Sequence, residues 1–435
     1  MPATAKEIQM HIKPLPLILL ISTLLYCAAT YLQNGMPVTY WQWRHELVLL
    51  TGVQLMTVMS AAMLLAVRPA WLENWLSGLD KMYALHKQLG IAAGILLAAH
   101  WLIKLSPKLV MAMEWAAPRI RSGAKIKDPL VSWAKDVGEW AAWAILAMVI
   151  LALLRAVPYR YWRKVHKLFA PLFLMGALHG LILMPSEFWL TPVGGLMAIA
   201  LLAGSLCALY SLFGQIGKRQ QHQGQIQHIE QLAANQLEVT CQLNTWPGHT
   251  AGQFALVSFD PAEGAHPYTI ASADRGNGQL RFIIKGLGDY TRTLAHQLQV
   301  GGPVQIEGPY GRFDGKASGA QRQAWIAGGI GVTPFLAWLE SAQFQQQPID
   351  FYYCVTQADH AARLAEIQAA CAKKQIRLHL IESDLGQRLD IRQIPIEQLS
   401  DIWYCGPAGL GQMIQDYLSQ HASAPRFHHE AFAMR

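Results

Sequence analysis

A chain of 435 residues has room for two or three domains, and with 14% charged and 52% hydrophobic residues it departs from the roughly 25% and 45–50% of an average soluble protein. The net charge of +7 sits largely in loops between apolar runs; it speaks for membrane surfaces, and no basic–aromatic stripe or nucleic-acid motif is present. Six scattered cysteines without a CxxC pair argue against a disulfide framework and a zinc site.

The long apolar runs lie in residues 1–213. Six are about 20 residues long, near 15–33, 47–67, 83–105, 137–157, 165–184 and 189–213, enough to cross a hydrocarbon core of roughly 30 Å. Lys6 and Lys13 precede the first run as in a signal peptide. Its apolar core is longer than a signal's, however, and six retained spans put both termini on one side.

The third run carries His86 and His100, the fifth His166 and His179. At 1.5 Å rise per residue each pair is separated by roughly 20 Å along its helix. Two neighbouring spans would then set His86 opposite His166 and His100 opposite His179. A haem takes axial ligands from opposite sides, and imidazole is a common one. A lone histidine in a span more often bonds a neighbouring helix, but four at matched spacing are a costly burden in lipid unless they are used. Fourteen residues return to nearly the same helix face, whereas thirteen leave the second ring about 140° away. Pro171, between His166 and His179, is expected to kink the helix and re-aim one end.

After Phe213, GQIGKRQQHQGQ reads as a polar linker. From about Gln225 short alternating runs with Gly and Pro turns predict an antiparallel barrel. From Gln323 the order is strand (AWIAGG), Gly-rich turn, helix (FLAWLESA) and strand (IDFYYCV), with IWYCG further on. That alternation predicts βαβ units and a parallel sheet.

The histidine spacing, followed by HPYTIAS at 266–272 and GGIGVTP at 328–334, resembles the ferric reductase and NADPH oxidase superfamily. The resemblance implies a six-span, two-haem domain over 1–213, an FAD-binding β-barrel over 214–316 and an NAD(P)H-binding α/β domain over 317–435. GQF at 252–254 is similar to the strand that opens the flavin barrel. In HPYTIAS, which His266 opens, Tyr268 would stack on the isoalloxazine and Thr269 would approach its edge, while Pro267 and Ser272 shape the loop. KGLGDYT at 285–291 resembles the pyrophosphate site, with Lys285 where Arg is common and Gly288, Tyr290 and Thr291 opening a helix. Free N–H groups at such an N-terminus suit a diphosphate. GGIGVTP follows a strand and precedes a helix, the context a phosphate-cradling turn requires. Gly328, Gly329 and Gly331 would let the backbone approach, Thr333 would donate its hydroxyl, and Pro334 follows. In YCGPAG, Cys405, Gly406 and Pro407 would lie beside the nicotinamide, and Phe432 of the EAF ending would cover the flavin. Thr356 and Gln357 stand where NADPH-selective relatives often carry Arg, which leaves Arg388 for a 2′-phosphate.

The function this implies is electron transfer from NAD(P)H to FAD near Thr269 and Cys405. It continues through one b-type haem (His86, His166) and a second (His100, His179) to a ferric chelate or O2, with superoxide as product. Leu172 and Phe173 would fill the gap between haems or simply pack. The rival readings are a membrane-anchored flavin reductase serving a partner protein or quinone, and a haem scaffold with an inactive soluble half. NAD(P)H is cytoplasmic, so the C-terminal half is expected there, with the spans in a bacterial inner membrane. That leaves the basic loop 105–136 outside, against the positive-inside tendency. With Lys104 and Arg44 this loop would attract anionic acceptors. The expected partners are membrane lipid and a small acceptor; oligomeric state is not encoded in any motif.

Overall fold

The structure is a computed structural model that describes residues 14–76, 78–118, 128–154, 159–316, 322–344 and 348–430. The chain divides into two compact units, Met1–Glu73 with Met82–Ile216, and Asn74–Lys81 with Gly217–Arg435.

The first unit is helical: α1 (Pro14–Asn34), α2 (Tyr40–Val67), α3 (Ala70–Leu76, which runs into the second unit), α4 (Leu79–Ala112), α5 (Pro129–Leu154), α6 (Tyr159–His166), α7 (Phe169–Leu183) and α8 (Pro192–Leu212). Among the described residues five segments are long and apolar enough to cross a membrane: α1, α2, α4, Tyr161–Leu183 and α8. The sixth expected span falls on α5, whose first half carries Lys135, Asp136 and Glu139, and its expected end at 155–157 lies outside the described residues.

Polar side chains in this unit close local accounts. Thr39 caps α2 in a reciprocal box with Gln42, satisfying N-terminal donors that have no partner within the helix. Glu46 is buried on α2 and accepts hydrogen bonds from Tyr26 (2.6 Å) and Thr30 (3.2 Å) of α1, while Gln54 donates to Thr23. Such bonds tie helices where lipid offers no alternative partner. Pro107 inside α4 has no N–H for the carbonyl of Ile103. Arg44 Nε (3.2 Å) and the Ser106 hydroxyl (2.8 Å) donate to that carbonyl instead.

The second unit holds two sheets. β1 (Gln221–Leu232), β2 (Gln236–Leu243), β3 (Phe254–Ser258), β4 (His266–Thr269), β5 (Gln279–Lys285) and β6 (Pro303–Tyr310) form an antiparallel sheet in the order β4-β3-β6-β1-β2-β5, and α9 (Asp289–Gln297) follows β5. β4 and β5 stand at its two edges, so the expected closed barrel is an open sheet. β4 is four residues long and contains Pro267, which cannot donate to another strand. Strand alternation then buries Ile226, Val239, Cys241, Phe282 and Ile306 on one face.

The other sheet is parallel. It comprises β7 (Arg322–Gly328), β8 (Ile349–Val355), β9 (Arg377–Glu382), β10 (Leu399–Cys405) and β11 (Arg426–His429) in the order β11-β10-β7-β8-β9, with α10 (Thr333–Glu340), α11 (Leu364–Lys374) and α12 (Ala408–Ser419) connecting it. Trp325, Phe335, Trp338, Phe351 and Trp403 fill its core. Two arginines bind the sheets together: Arg281 of β5 pairs with Glu340 and Glu366, and Arg363 pairs with Glu238 (2.8 Å) and Glu230.

Candidate functional site

The four span histidines are oriented by their neighbours. His86 Nδ1 lies 3.0 Å from the carbonyl of Ala62, and His179 Nδ1 lies 2.8 Å from that of Ala134. A carbonyl only accepts, so each Nδ1 carries the proton and each Nε2 keeps its lone pair. His100 Nδ1 meets the Thr51 hydroxyl at 3.0 Å, and that hydroxyl donates onward to Leu47, which gives the same tautomer. Metal-bound imidazoles show this pattern, with the second nitrogen donating to a protein acceptor. The His86 and His166 ring centroids are 6.0 Å apart. Imidazole nitrogens bind a first-row metal at about 2 Å, so one metal ion ligated by both rings would hold them at about that spacing. His166 is flanked by Trp162 and Phe169. These residues fit bis-histidine ligation.

The thirteen-residue spacing is resolved by a break in the helix. α6 ends at His166 and α7 starts at Phe169, with i→i+3 bonds at Lys167, Leu168 and Ala170. Pro171 cannot donate to the carbonyl of Lys167, so the α-helical ladder stops there. His179 also needs Gly138: a Cβ at that position would overlap its ring. Phe173 is fully buried and packs against Gly204 of α8. Two of the cations expected on the acceptor side are already engaged. Lys104 pairs with Glu139 at 2.7 Å, and Arg44 donates to the carbonyls of Ile103 and Lys104, which blunts the expected anion field. Arg119, Arg121, Lys125 and Lys127 lie outside the described residues.

In the second unit His266, Pro267, Tyr268 and Thr269 make up β4, and Thr269 is buried opposite Phe254. His266 stacks on Tyr290 at 4.9 Å. The hydroxyls of Tyr268 and Tyr290 are buried and bond no protein atom; burial pushes both phenols up, Tyr290 to about 12. Buried hydroxyls are normally satisfied, so this pair fits a cofactor's polar edge. Ser272 instead ties β5, its hydroxyl accepting from the Arg281 amide. Lys285 closes β5, and Gly288 caps α9. Thr291 accepts from the Leu287 and Gly288 amides at 3.0 Å each, so its hydroxyl shapes the turn. The first-turn N–H groups of α9 have no intrahelical acceptor and suit a diphosphate.

The nicotinamide-type loops meet at the ends of β7 and β10, where the strand order reverses. Open α/β sheets bind ligands in that crevice. A Cβ on Gly331 would overlap the carbonyl of Cys405, so the two loops touch only because this residue is glycine. Gly329 sits at φ +55°, a backbone region glycine enters without penalty. The Thr333 hydroxyl, the expected phosphate donor, donates to the Ile330 carbonyl at 3.2 Å within its own turn. Tyr404 donates to the Pro407 carbonyl at 2.5 Å, holding the CGP turn. Cys405 is buried, and burial followed by the nearby Glu430 carboxyl holds its thiol well above the ordinary range. Glu430 is itself buried, its Oε2 bonds no protein atom, and burial raises its pKa well above the usual carboxyl value. Sequence reasoning singled out Phe432 in the EAF ending and passed over Glu430. The signal was a carboxylate next to an apolar ending that had to pack somewhere. Phe432 lies outside the described residues.

Two family profiles match, a ferric reductase like transmembrane component over residues 51–177 and an FAD-binding domain over 222–314. This pairing of a ferric reductase like transmembrane component with an FAD-binding domain in one chain is consistent with the ferric reductase and NADPH oxidase superfamily. The ferredoxin–NAD(+) reductase component of the alkene monooxygenase system of Xanthobacter autotrophicus is 33% identical over 31% of this chain and 42% of its own length. The carnitine monooxygenase reductase subunit of Escherichia coli is 24% identical over 43% of this chain and 60% of its own. The chain thus spans about half the length of the curated relatives it matches. A flavohemoglobin from Malassezia yamatoensis, solved with FAD and heme, superposes with a TM-score of 0.50 at 16% identity, covering 97% of this chain and 99% of that one. That likeness concerns fold alone.

Proposed function

We propose that this chain is a membrane reductase that moves electrons from NAD(P)H, through FAD and two b-type haems, to an acceptor across the membrane, a ferric chelate or O2. The observation that carries the reading is the histidine set: His86, His100 and His179 each have Nδ1 anchored and Nε2 left for ligation, and His86 faces His166 at 6.0 Å. When bound, the flavin supplies the change from two-electron to one-electron chemistry and the haems supply one-electron carriers. The protein's part is placement. Tyr268 and Thr269 would hold the flavin ring, Lys285 and the turn Gly288–Tyr290 its diphosphate, and Gly328, Gly329 and Gly331 the dinucleotide phosphates. Cys405 and Glu430, whose thiol and carboxyl burial holds well above their ordinary pKa values, would line the nicotinamide face in surroundings that disfavour charge. Phe432 would cover the flavin until the dinucleotide displaces it.

A second reading, an anchored reductase that passes electrons from flavin to a partner protein, draws on the reductase-component relatives. One experiment separates them. Purified protein should show a low-spin b-type spectrum with about two haems per chain, and anaerobic NADH or NADPH should reduce both flavin and haem. Flavin reduction in a protein without haem absorbance selects the second reading.

A further inference from the structure

We infer that the dinucleotide site is built for NADH and discriminates against NADPH, through the carboxylates of Glu382 and Asp384. The inference rests on the donor reading above and goes on to name the donor. In a doubly wound sheet the nucleotide half held by the first glycine turn lays its adenosine ribose toward the end of the next strand, where an acidic side chain accepts from the 2′-hydroxyl or a cation meets a 2′-phosphate. Here the turn follows β7, the next strand is β8, and β9 lies beyond it. β8 runs out at Val355 and β9 at Glu382, so the residues just past these two ends meet the ribose.

Those residues form one hydrogen-bonded rim. Gln357 Nε2 donates to Asp384 Oδ2 at 2.6 Å, the Ala358 amide to Glu382 Oε2 at 2.7 Å, and the Asp384 amide to the Thr356 carbonyl at 3.1 Å. Both carboxylates are thereby held at the rim, and each keeps lone pairs to spare. A ribose diol can donate to them. A 2′-phosphate, which carries close to two negative charges at neutral pH and only accepts, meets repulsion there. The cation of this stretch is turned to other work, since Arg388 Nη1 donates to the carbonyls of Ser383 and Gln387 at 3.0 Å each. In that posture Arg388 staples the β9 turn.

The test is anaerobic flavin reduction in the full-length, FAD-loaded protein, followed by stopped flow with NADH and with NADPH. Wild type should favour NADH in kcat/KM by about tenfold or more, the scale of one hydrogen bond to a charged group. Asp384→Asn and Glu382→Gln should each narrow that ratio by several-fold, mainly by improving NADPH. Arg388→Ala should shift it by less than about twofold. A wild type that prefers NADPH, or an Arg388→Ala variant that loses NADPH use while the carboxylate variants leave the ratio unchanged, overturns the inference and makes Arg388 the 2′-phosphate ligand. Flavin that neither dinucleotide reduces overturns the donor reading itself, and the selectivity with it.

Discussion

The two units position reactive groups by opposite means. In the helical unit the placed objects are side chains: three of the four imidazoles reach out from one helix and are turned by a carbonyl or hydroxyl of another, His86 by Ala62, His100 by Thr51 and His179 by Ala134. In the sheet unit the placed object is largely backbone: glycine turns at the strand ends are packed so closely that Gly331 meets the carbonyl of Cys405. Within lipid, backbone amides are already consumed by the helix, so side chains must carry the recognition. At strand ends the amides are available, and side chains need only stay out of the way. The contrast makes different residues critical in each unit.

The largest expected effect is at the histidines. His86→Ala should reduce haem content from two to about one per chain and stop electron delivery to the acceptor, while dinucleotide-driven flavin reduction continues. Wild-type haem content in that variant, measured by pyridine haemochrome, would remove the ligand assignment.

A paired glycine test sharpens the contrast. Gly331→Ala should slow flavin reduction by about a hundredfold, the order of loss that a misplacement of about 1 Å produces, and leave haem content intact. Gly138→Ala should do the reverse, loosening the haem proposed at His179 by roughly 10- to 100-fold while flavin reduction is preserved. If both variants damage both readouts equally, the units do not position their groups independently.

Lys285 is the side chain in the sheet unit to which the diphosphate reading assigns a charge. Lys285→Ala should weaken FAD binding by roughly one to two orders of magnitude, from the loss of a charge-assisted bond worth about 1.5–3 kcal/mol. Unchanged FAD affinity by fluorescence titration would leave the diphosphate to the backbone of α9 alone.

The smallest effect concerns Glu430, whose pKa burial raises well above the 4.5 of an exposed carboxyl. As pH rises past about 4.5 the unfolded chain gives up this proton first while the folded protein keeps it. Stability should therefore fall with rising pH until the folded group itself ionises. The slope has an upper bound of about 1.4 kcal/mol per pH unit. Glu430→Gln should flatten that part of the profile, read as the pH dependence of the temperature at which FAD is released. A variant that tracks wild type as pH rises above about 4.5 would show that the carboxyl's pKa is not raised by burial.

What the sequence determined by itself is whatever a local pattern encodes. Hydropathy runs mark the helices, a fourteen-residue interval puts His86 and His100 on one face, and a glycine turn between strand and helix marks the crevice. Each of these follows from the period of a helix or strand and needs no distant partner. The tertiary structure decided what depends on residues far apart in the chain. Ala62, Thr51 and Ala134, which set the imidazole tautomers, are indistinguishable from packing residues until their helices are side by side. The 140° misfit of His179 disappears in a break at Lys167–Leu168. Lys104 and Arg44, read as an acceptor field, turned out to be held by Glu139 and by carbonyls near Pro107. The expected closed barrel is not formed, since β4 and β5 stand at the two edges of the flavin sheet. Glu430 and the Glu382–Asp384 rim became visible only once burial and cross-strand bonds were known. Charge and polarity can be read from a sequence, but whether a charge is already satisfied is a property of its neighbours in space.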